Sequence, residues 1–221
     1  VTGVDMLAVA ASATYACVAN GEYGVQVIDN HNPESPPTVG WVDTPDQAWR
    51  VAVASPYAYM ANSSSGLQVV DATNPGSPVL VGSLDTPGSA RDIGLTATHA
   101  FIADDPSGLL IVDISRPYDP QLVGSVDTPG SALAVVVSGH HAWIADGSAG
   151  LQVVDITTPG DPRVVGNLDT PGSANGVDIS VNFAYLADGS AGLQVIDITN
   201  PASPCLVWTV DTPGSASDVV V

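Results

Sequence analysis

The chain has no lysine, and four arginines are its only fixed cations against 23 aspartates and glutamates, a net charge of −19. That balance excludes nucleic acid and anionic lipid as partners, because both are bound by Lys and Arg that replace condensed counterions. It suits an extracellular setting, cation-rich water or a basic partner. Only two cysteines occur, Cys17 and Cys205, which is too few for a disulfide framework. An intrachain bridge, free thiols and an intermolecular bridge all stay open, since disulfide geometry is narrow. No apolar run approaches the roughly 18 residues that a spanning helix needs, so no membrane insertion is expected. The chain lacks a Met start and a signal peptide, and Val1 reads as the edge of a mature or trimmed chain. Also missing are the G-x-S-x-G elbow, the phosphate loop and H-E-x-x-H. His31, His99, His140 and His141 have no metal-ligand spacing, and the last two fall in a turn. The expectation is a protein that is not an enzyme and requires no cofactor.

What the chain does have is a repeat. The unit Gly150 to Ala191 recurs every 42 residues, with copies opening at Gly24, Gly66, Gly108, Gly150 and Gly192. Each copy holds four short apolar runs, such as 151–156, 163–168, 175–179 and 183–187, punctuated by Gly, Pro and Asp. Their length and Val/Ile content indicate strands, and no stretch keeps a helical period. Four strands per roughly 40 to 50 residues is the signature of a propeller blade. The fold class expected is all-β, a β-propeller of four-stranded antiparallel blades. One repeat domain spans 1–221, with blades at about 4–43, 48–85, 90–127, 132–169 and 174–211, and a surplus inner strand at 216–221.

The segment Gly-Leu-Gln-Val-Val-Asp-Ile (150–156), its variants at 66–72, 108–114 and 192–198, and the Asn-Pro-x-x-Pro, Leu-Val-Gly and Ala-Tyr-x-Ala-Asp segments resemble the LVIVD repeat of bacterial and archaeal surface proteins. The resemblance covers essentially the whole chain. It implies a β-propeller that is secreted or displayed on the cell surface, with no common catalytic residues to carry over.

Two kinds of polar position recur. Thr-Pro-Gly-Ser, at 86–89, 128–131, 170–173 and 212–215, has Pro and Gly where a type II turn needs them; Asp46 breaks that pattern, so its loop must bend differently. Three Asp series also recur: Asp29, Asp71, Asp113, Asp155 and Asp197; Asp43, Asp85, Asp127, Asp169 and Asp211; and Asp104, Asp146 and Asp188 with Asn20 and Asn62. Repeated turns need repeated caps, which accounts for these carboxylates as acceptors for turn amides. The alternative is Ca²⁺ binding by Asp104, Asp105, Asp146 and Asp188, should they crowd on one face. Aromatics Tyr59, Phe101, Trp143 and Tyr185, with Val51, Ile93, Val135 and Val177, read as core between blades.

Recognition is expected where the copies differ. At the start of the inner strand, near the expected channel mouth, stand Trp49, Arg50, Arg91, Asp92 and Asn175, a set that could hold a sugar or a carboxylate. Trp41 and Trp208 lie on outer strands, Trp208 replacing the Gly of the other copies, and point to a contact surface. Asn62-Ser63-Ser64 is an N-glycosylation sequon. Three functions follow: a non-catalytic extracellular module for a protein or glycan partner; a structural subunit that polymerises by exchanging the strand containing Ala216, Val219, Val220 and Val221; and a ligand or enzyme site at the channel mouth.

Overall fold

The computed structural model describes residues 6–31 and 34–221, so the first two residues of the blade expected from residue 4 lie outside the described residues. Twenty strands and no helix are found among them. They form five four-stranded antiparallel sheets. The first is β1 (Ala8–Ala11), β2 (Tyr15–Ala19), β3 (Val25–Asp29) and β4 (Thr38–Val42). The second is β5 (Arg50–Ala54), β6 (Tyr57–Ala61), β7 (Leu67–Asp71) and β8 (Val79–Leu84). The third is β9 (Ser89–Leu95), β10 (His99–Asp105), β11 (Gly108–Asp113) and β12 (Gln121–Val126). The fourth is β13 (Ala134–Ser138), β14 (His141–Ala145), β15 (Leu151–Asp155) and β16 (Arg163–Leu168). The fifth is β17 (Gly176–Ser180), β18 (Phe183–Ala187), β19 (Leu193–Asp197) and β20 (Cys205–Val210). This is the β-propeller class, each 42-residue copy supplying one blade's worth of strands.

By internal packing the chain divides into two compact units, the first holding residues up to 100 with 113–121, the second 101–112 with 122–221. In the first, the core joins alternate residues of β2 and β3 (Tyr15, Cys17, Val25, Val27) to Val51, Ala58, Met60 and Val70 of the second blade. In the second, Phe101, Leu109 and Ile111 pack with Val135, Ile144 and Val154, and Trp143, Leu151 and Val153 pack with Val177, Leu186 and Ile196. Strand alternation explains the pattern: successive side chains point to opposite faces, and each face meets a different neighbour. Burying a Leu, Ile or Met at such a site contributes about 1.5–3 kcal/mol. The aromatic series is core at Tyr59, Phe101 and Trp143, while Tyr185 of the fifth blade is only half-buried.

Two local expectations are corrected. The glycines of the Thr-Pro-Gly turns do not adopt positive φ, so these are not type II turns; the copies' opening glycines do, with Gly66 at +64° and Gly108 at +78°. Gly130 and Gly172 are needed for space instead, since a Cβ there would overlap the carbonyl oxygen of Asp146 or Asp188. The surplus strand at 216–221 is not formed as a strand. Ala216 makes an isolated bridge with Gly189, and the residues after it join no ladder. The first strand of a blade is held by the second strand of its own hairpin, as β17 is by β18, and 216–221 pair with no such strand.

Candidate functional site

The Asp series at the end of each second strand is built into the connection between blades. Asp146 is 0% exposed; its Oδ1 accepts the Thr128 hydroxyl at 2.7 Å and its Oδ2 the Gly130 amide at 2.9 Å. Asp188 repeats the arrangement with Thr170 at 2.7 Å and Gly172 at 3.0 Å. Burial raises the Asp146 carboxyl above its ordinary value, opposed by those two hydrogen bonds.

Where Gly is replaced by Asp46, the acid is replaced by Asn62. With its amide turned to suit its neighbours, Asn62 Nδ2 donates to Thr44 Oγ1 at 2.9 Å and to the Asp46 carbonyl at 2.8 Å, and Oδ1 accepts the Asp46 amide at 3.0 Å. The Asp46 carboxylate turns away and takes the Ser64 hydroxyl and amide at 2.5 and 3.1 Å. The loop at Asp46 therefore bends by its own chemistry, as its sequence requires.

This corrects the sequon. Asn62 is fully buried and its whole amide is engaged, so no glycan can be joined to it in the folded chain.

The crowding expected of the calcium candidates Asp104, Asp105, Asp146 and Asp188 is not found. Asp146 and Asp188 each serve a separate turn, and among the described residues no three carboxylate, imidazole or thiol groups converge on one point. Asp104 is buried at the equivalent position, and Asp105 follows it at the end of β10.

The series ending the third strands caps differently. Asp71, Asp113, Asp155 and Asp197 each accept the amide two residues on at 2.8 Å, and Asp29 accepts that of His31 at the same distance. All five carboxyls are held below their ordinary value, chiefly by hydrogen bonds from the residue two positions on. The remaining series, Asp43, Asp85, Asp127, Asp169 and Asp211, is exposed.

Four of the residues expected at a channel mouth, Trp49, Arg50, Arg91 and Asp92, come together in the first unit. The Arg91 guanidinium lies over the Trp49 ring at 5.0 Å from its centroid, and Arg50 Nε is 3.7 Å from Asp92 Oδ1. Asp92 Oδ1 also accepts the Ile93 amide at 2.8 Å. Equivalent positions of neighbouring blades thus meet, cation on ring and cation beside carboxylate. Asn175, in the second unit, donates its amide to the Ala216 carbonyl at 3.1 Å and holds the bridge there.

Of the contact-surface residues, Trp41 is exposed but anchored, its Nε1 donating to the Tyr23 carbonyl at 2.9 Å. Trp208 is 67% exposed in β20, all of which is exposed. The structure explains why other copies have Gly there. A Cβ at Gly40, Gly82, Gly124 or Gly166 would overlap the carbonyl oxygen of Pro75, Pro117, Pro159 or Pro201, the prolyl turn of the following blade. The Val219 amide donates to its neighbour Asp218 and the Val221 amide to Asp178 of β17, at 2.9 Å each, while Val220 is exposed.

The sequence profile of the LVIVD repeat matches residues 5–44, 45–86, 87–128, 129–170 and 171–212. The chain belongs to the LVIVD-repeat family. A search of curated proteins finds no match. Among solved structures it is similar to the computationally designed Ika8 protein, with a TM-score of 0.78, 12% identity and coverage of 98% of this chain. It is likewise similar to the β-propeller domain of Cps50 (Swd1) from Myceliophteria thermophila, with a TM-score of 0.77, 13% identity and coverage of 95%. This LVIVD-repeat chain spans 65% of the length of the designed protein and 74% of that of the Cps50 domain. At such identities the likeness is one of fold.

Two features escaped the sequence reading. Gln68, Gln152 and Gln194 are buried and donate to the carbonyls of Ser65, Ala149 and Ala191 at 2.7, 2.9 and 2.9 Å, closing the turn before each third strand. Their signal was the recurrent Gly-Leu-Gln. The other is the turn 115–120, Ser-Arg-Pro-Tyr-Asp-Pro, where Tyr118 stands in place of Gly76, Gly160 and Ala202. Part of this turn lines a polar cavity of about 160 Å³ formed by Asp113, Ser115, Arg116, Asp119 and Gln121.

Proposed function

We propose that this LVIVD-repeat propeller is a non-catalytic binding or scaffold module that works outside the cell or at its surface. The observation that carries the reading is a division of labour among polar groups. The carboxylates Asp146 and Asp188 are taken up by turn amides and hydroxyls, and in the series from Asp29 to Asp197 one oxygen of each is taken up by the amide two residues on. Recognition is left to exposed side chains that differ from copy to copy. A charge of −19 without lysine supports solubility and attraction to cationic partners, and repels anionic ones. A protein or glycan is the partner class, and no metal or organic cofactor is part of the proposal. Protease treatment of intact source cells, followed with an antibody to this chain, tests the location. Digestion before lysis is expected; a chain protected until lysis would overturn the extracellular reading.

A second reading, a structural subunit that self-assembles, is favoured by one specific feature. In the fifth blade Leu206, Val207, Trp208 and Val210 are all exposed, as are Val220 and Val221. Large exposed apolar groups of this kind mark contact surfaces. Light scattering over a wide concentration range tests it. Growth of particle size that is lost in Trp208→Gly supports assembly through β20, and a strict monomer rules it out. Removal of 216–221 distinguishes exchange of that segment from contact through β20.

A further inference from the structure

The turn 115–120 differs from its counterparts by bringing a tyrosine to the surface beside another aromatic and a carboxylate. The Tyr57 and Tyr118 rings stand 6.0 Å apart at 84°. The Tyr57 hydroxyl donates to the Tyr118 hydroxyl at 3.2 Å, and that of Tyr118 donates to Asp71 Oδ2 at 3.4 Å. Asp71 is fixed in turn by the Thr73 amide at 2.8 Å on Oδ1. Tyr118 is 60% exposed, so this aromatic pair lies at the surface.

We propose that Tyr57, Tyr118 and Asp71 form a binding site for an alkylated ammonium group. Three physical arguments converge on a cation of that class. A ring face attracts positive charge through its quadrupole, and two perpendicular rings offer a cation a face and an adjacent π system at once. The carboxylate supplies the countercharge. Hydrogen bonds from the Thr73 hydroxyl and amide hold it below its ordinary range, so it is ionised at neutral pH. The Tyr118 phenol is raised to about 12 by its pairing with the neighbouring Tyr57 phenol and by the adjacent Asp71 carboxylate, which keeps the ring neutral and its hydroxyl a donor. Finally, weak hydration decides which cation. An ammonium stripped of N–H donors by alkylation gives up little water to sit on an aromatic face, whereas sodium or a plain ammonium gives up much more. The chain itself has no lysine, and the arginine of this turn, Arg116, lines the neighbouring cavity with Asp113 and Asp119.

The assignment rests on the binding-module reading but fails separately from it, because the test does not depend on cell location. Protein labelled with 3-fluorotyrosine is titrated with choline at constant ionic strength, and in parallel with 3,3-dimethyl-1-butanol, its uncharged isostere. The fluorine signals of Tyr57 and Tyr118 are expected to shift saturably with choline only, while that of exposed Tyr23 stays fixed. Tyr118→Leu should abolish the shift at Tyr57, Asp71→Asn should weaken binding by about threefold or more, and Tyr118→Phe should retain it. Urea unfolding of each variant confirms that the fold is intact. No saturable shift, or an equal response to the uncharged isostere, would overturn the site. Phosphatidylcholine vesicles form the second arm: co-sedimentation assigns a lipid head group as the source of the cation, and choline binding without it assigns a free solute.

Discussion

Asn62 does with an amide what Asp146 does with a carboxylate. Asp146 accepts from the Thr128 hydroxyl and the Gly130 amide; Asn62 donates to the Thr44 hydroxyl and accepts the Asp46 amide, at the same places two copies earlier. The buried link between blades is therefore a geometric requirement, met by either group according to the turn residue opposite.

Asp146→Asn should accordingly keep the fold with a change of about 1 kcal/mol or less, whereas Asp146→Ala should cost about 1–3 kcal/mol by leaving a buried amide and hydroxyl without their acceptor. Urea unfolding at neutral pH measures both. The Asn variant should also reveal a titration. Burial raises the folded Asp146 carboxyl above its ordinary 3.8, so its contribution is full below that value and declines as pH rises through the folded one. The stability of Asp146→Asn relative to the parent should therefore increase with pH across that window and level off above it.

The caps on the third strands carry the opposite sign. The Thr157 hydroxyl and amide hold the Asp155 carboxyl below 3.8. Its stabilisation is complete above that ordinary value and is lost as pH falls through the lower folded one. Asp155→Asn should flatten the acid limb of a Tm-against-pH curve, most visibly below about pH 4. An acid limb identical to that of the parent would refute the cap as a titrating contributor.

Space, not conformation, decides the fourth-strand glycines. A Cβ on Gly166 would meet the Pro201 carbonyl, while one on Gly214 meets nothing within 4 Å. Gly166→Ala should cost about 1–3 kcal/mol through overpacking, and Gly214→Ala should be close to neutral in the same denaturant series.

The two cysteines are free, Cys17 buried and Cys205 exposed. Burial pushes the Cys17 thiol up to about 12, so almost none of it is thiolate at pH 8. Ellman's reagent should titrate one thiol per native chain and two after denaturation. Cys205→Ser should leave the native chain unreactive.

Much of this molecule was legible in its sequence. The 42-residue spacing, the Val/Ile runs and the Gly-Leu-Gln-Val-Val-Asp-Ile segment specify the four strands of each blade and their order, because a period of two and a turn signal are local properties of a chain. The capping roles of Asp155 and Asp197 were legible for the same reason, each acting on the amide two residues away. The odd loop at Asp46 announced itself by breaking a repeat. What only the tertiary structure decided involves partners far apart in sequence. Asn62 looked like a loop sequon until its amide met Thr44 and Asp46 in the interior. The reason for the recurrent strand-four glycines was hidden until the next blade's prolyl turn lay against them. That Trp49 and Arg50 of the second blade stand against Arg91 and Asp92 of the third was likewise invisible in the sequence. Burial and spatial neighbours are made by packing of one copy on the next, and no single copy of the repeat contains that information.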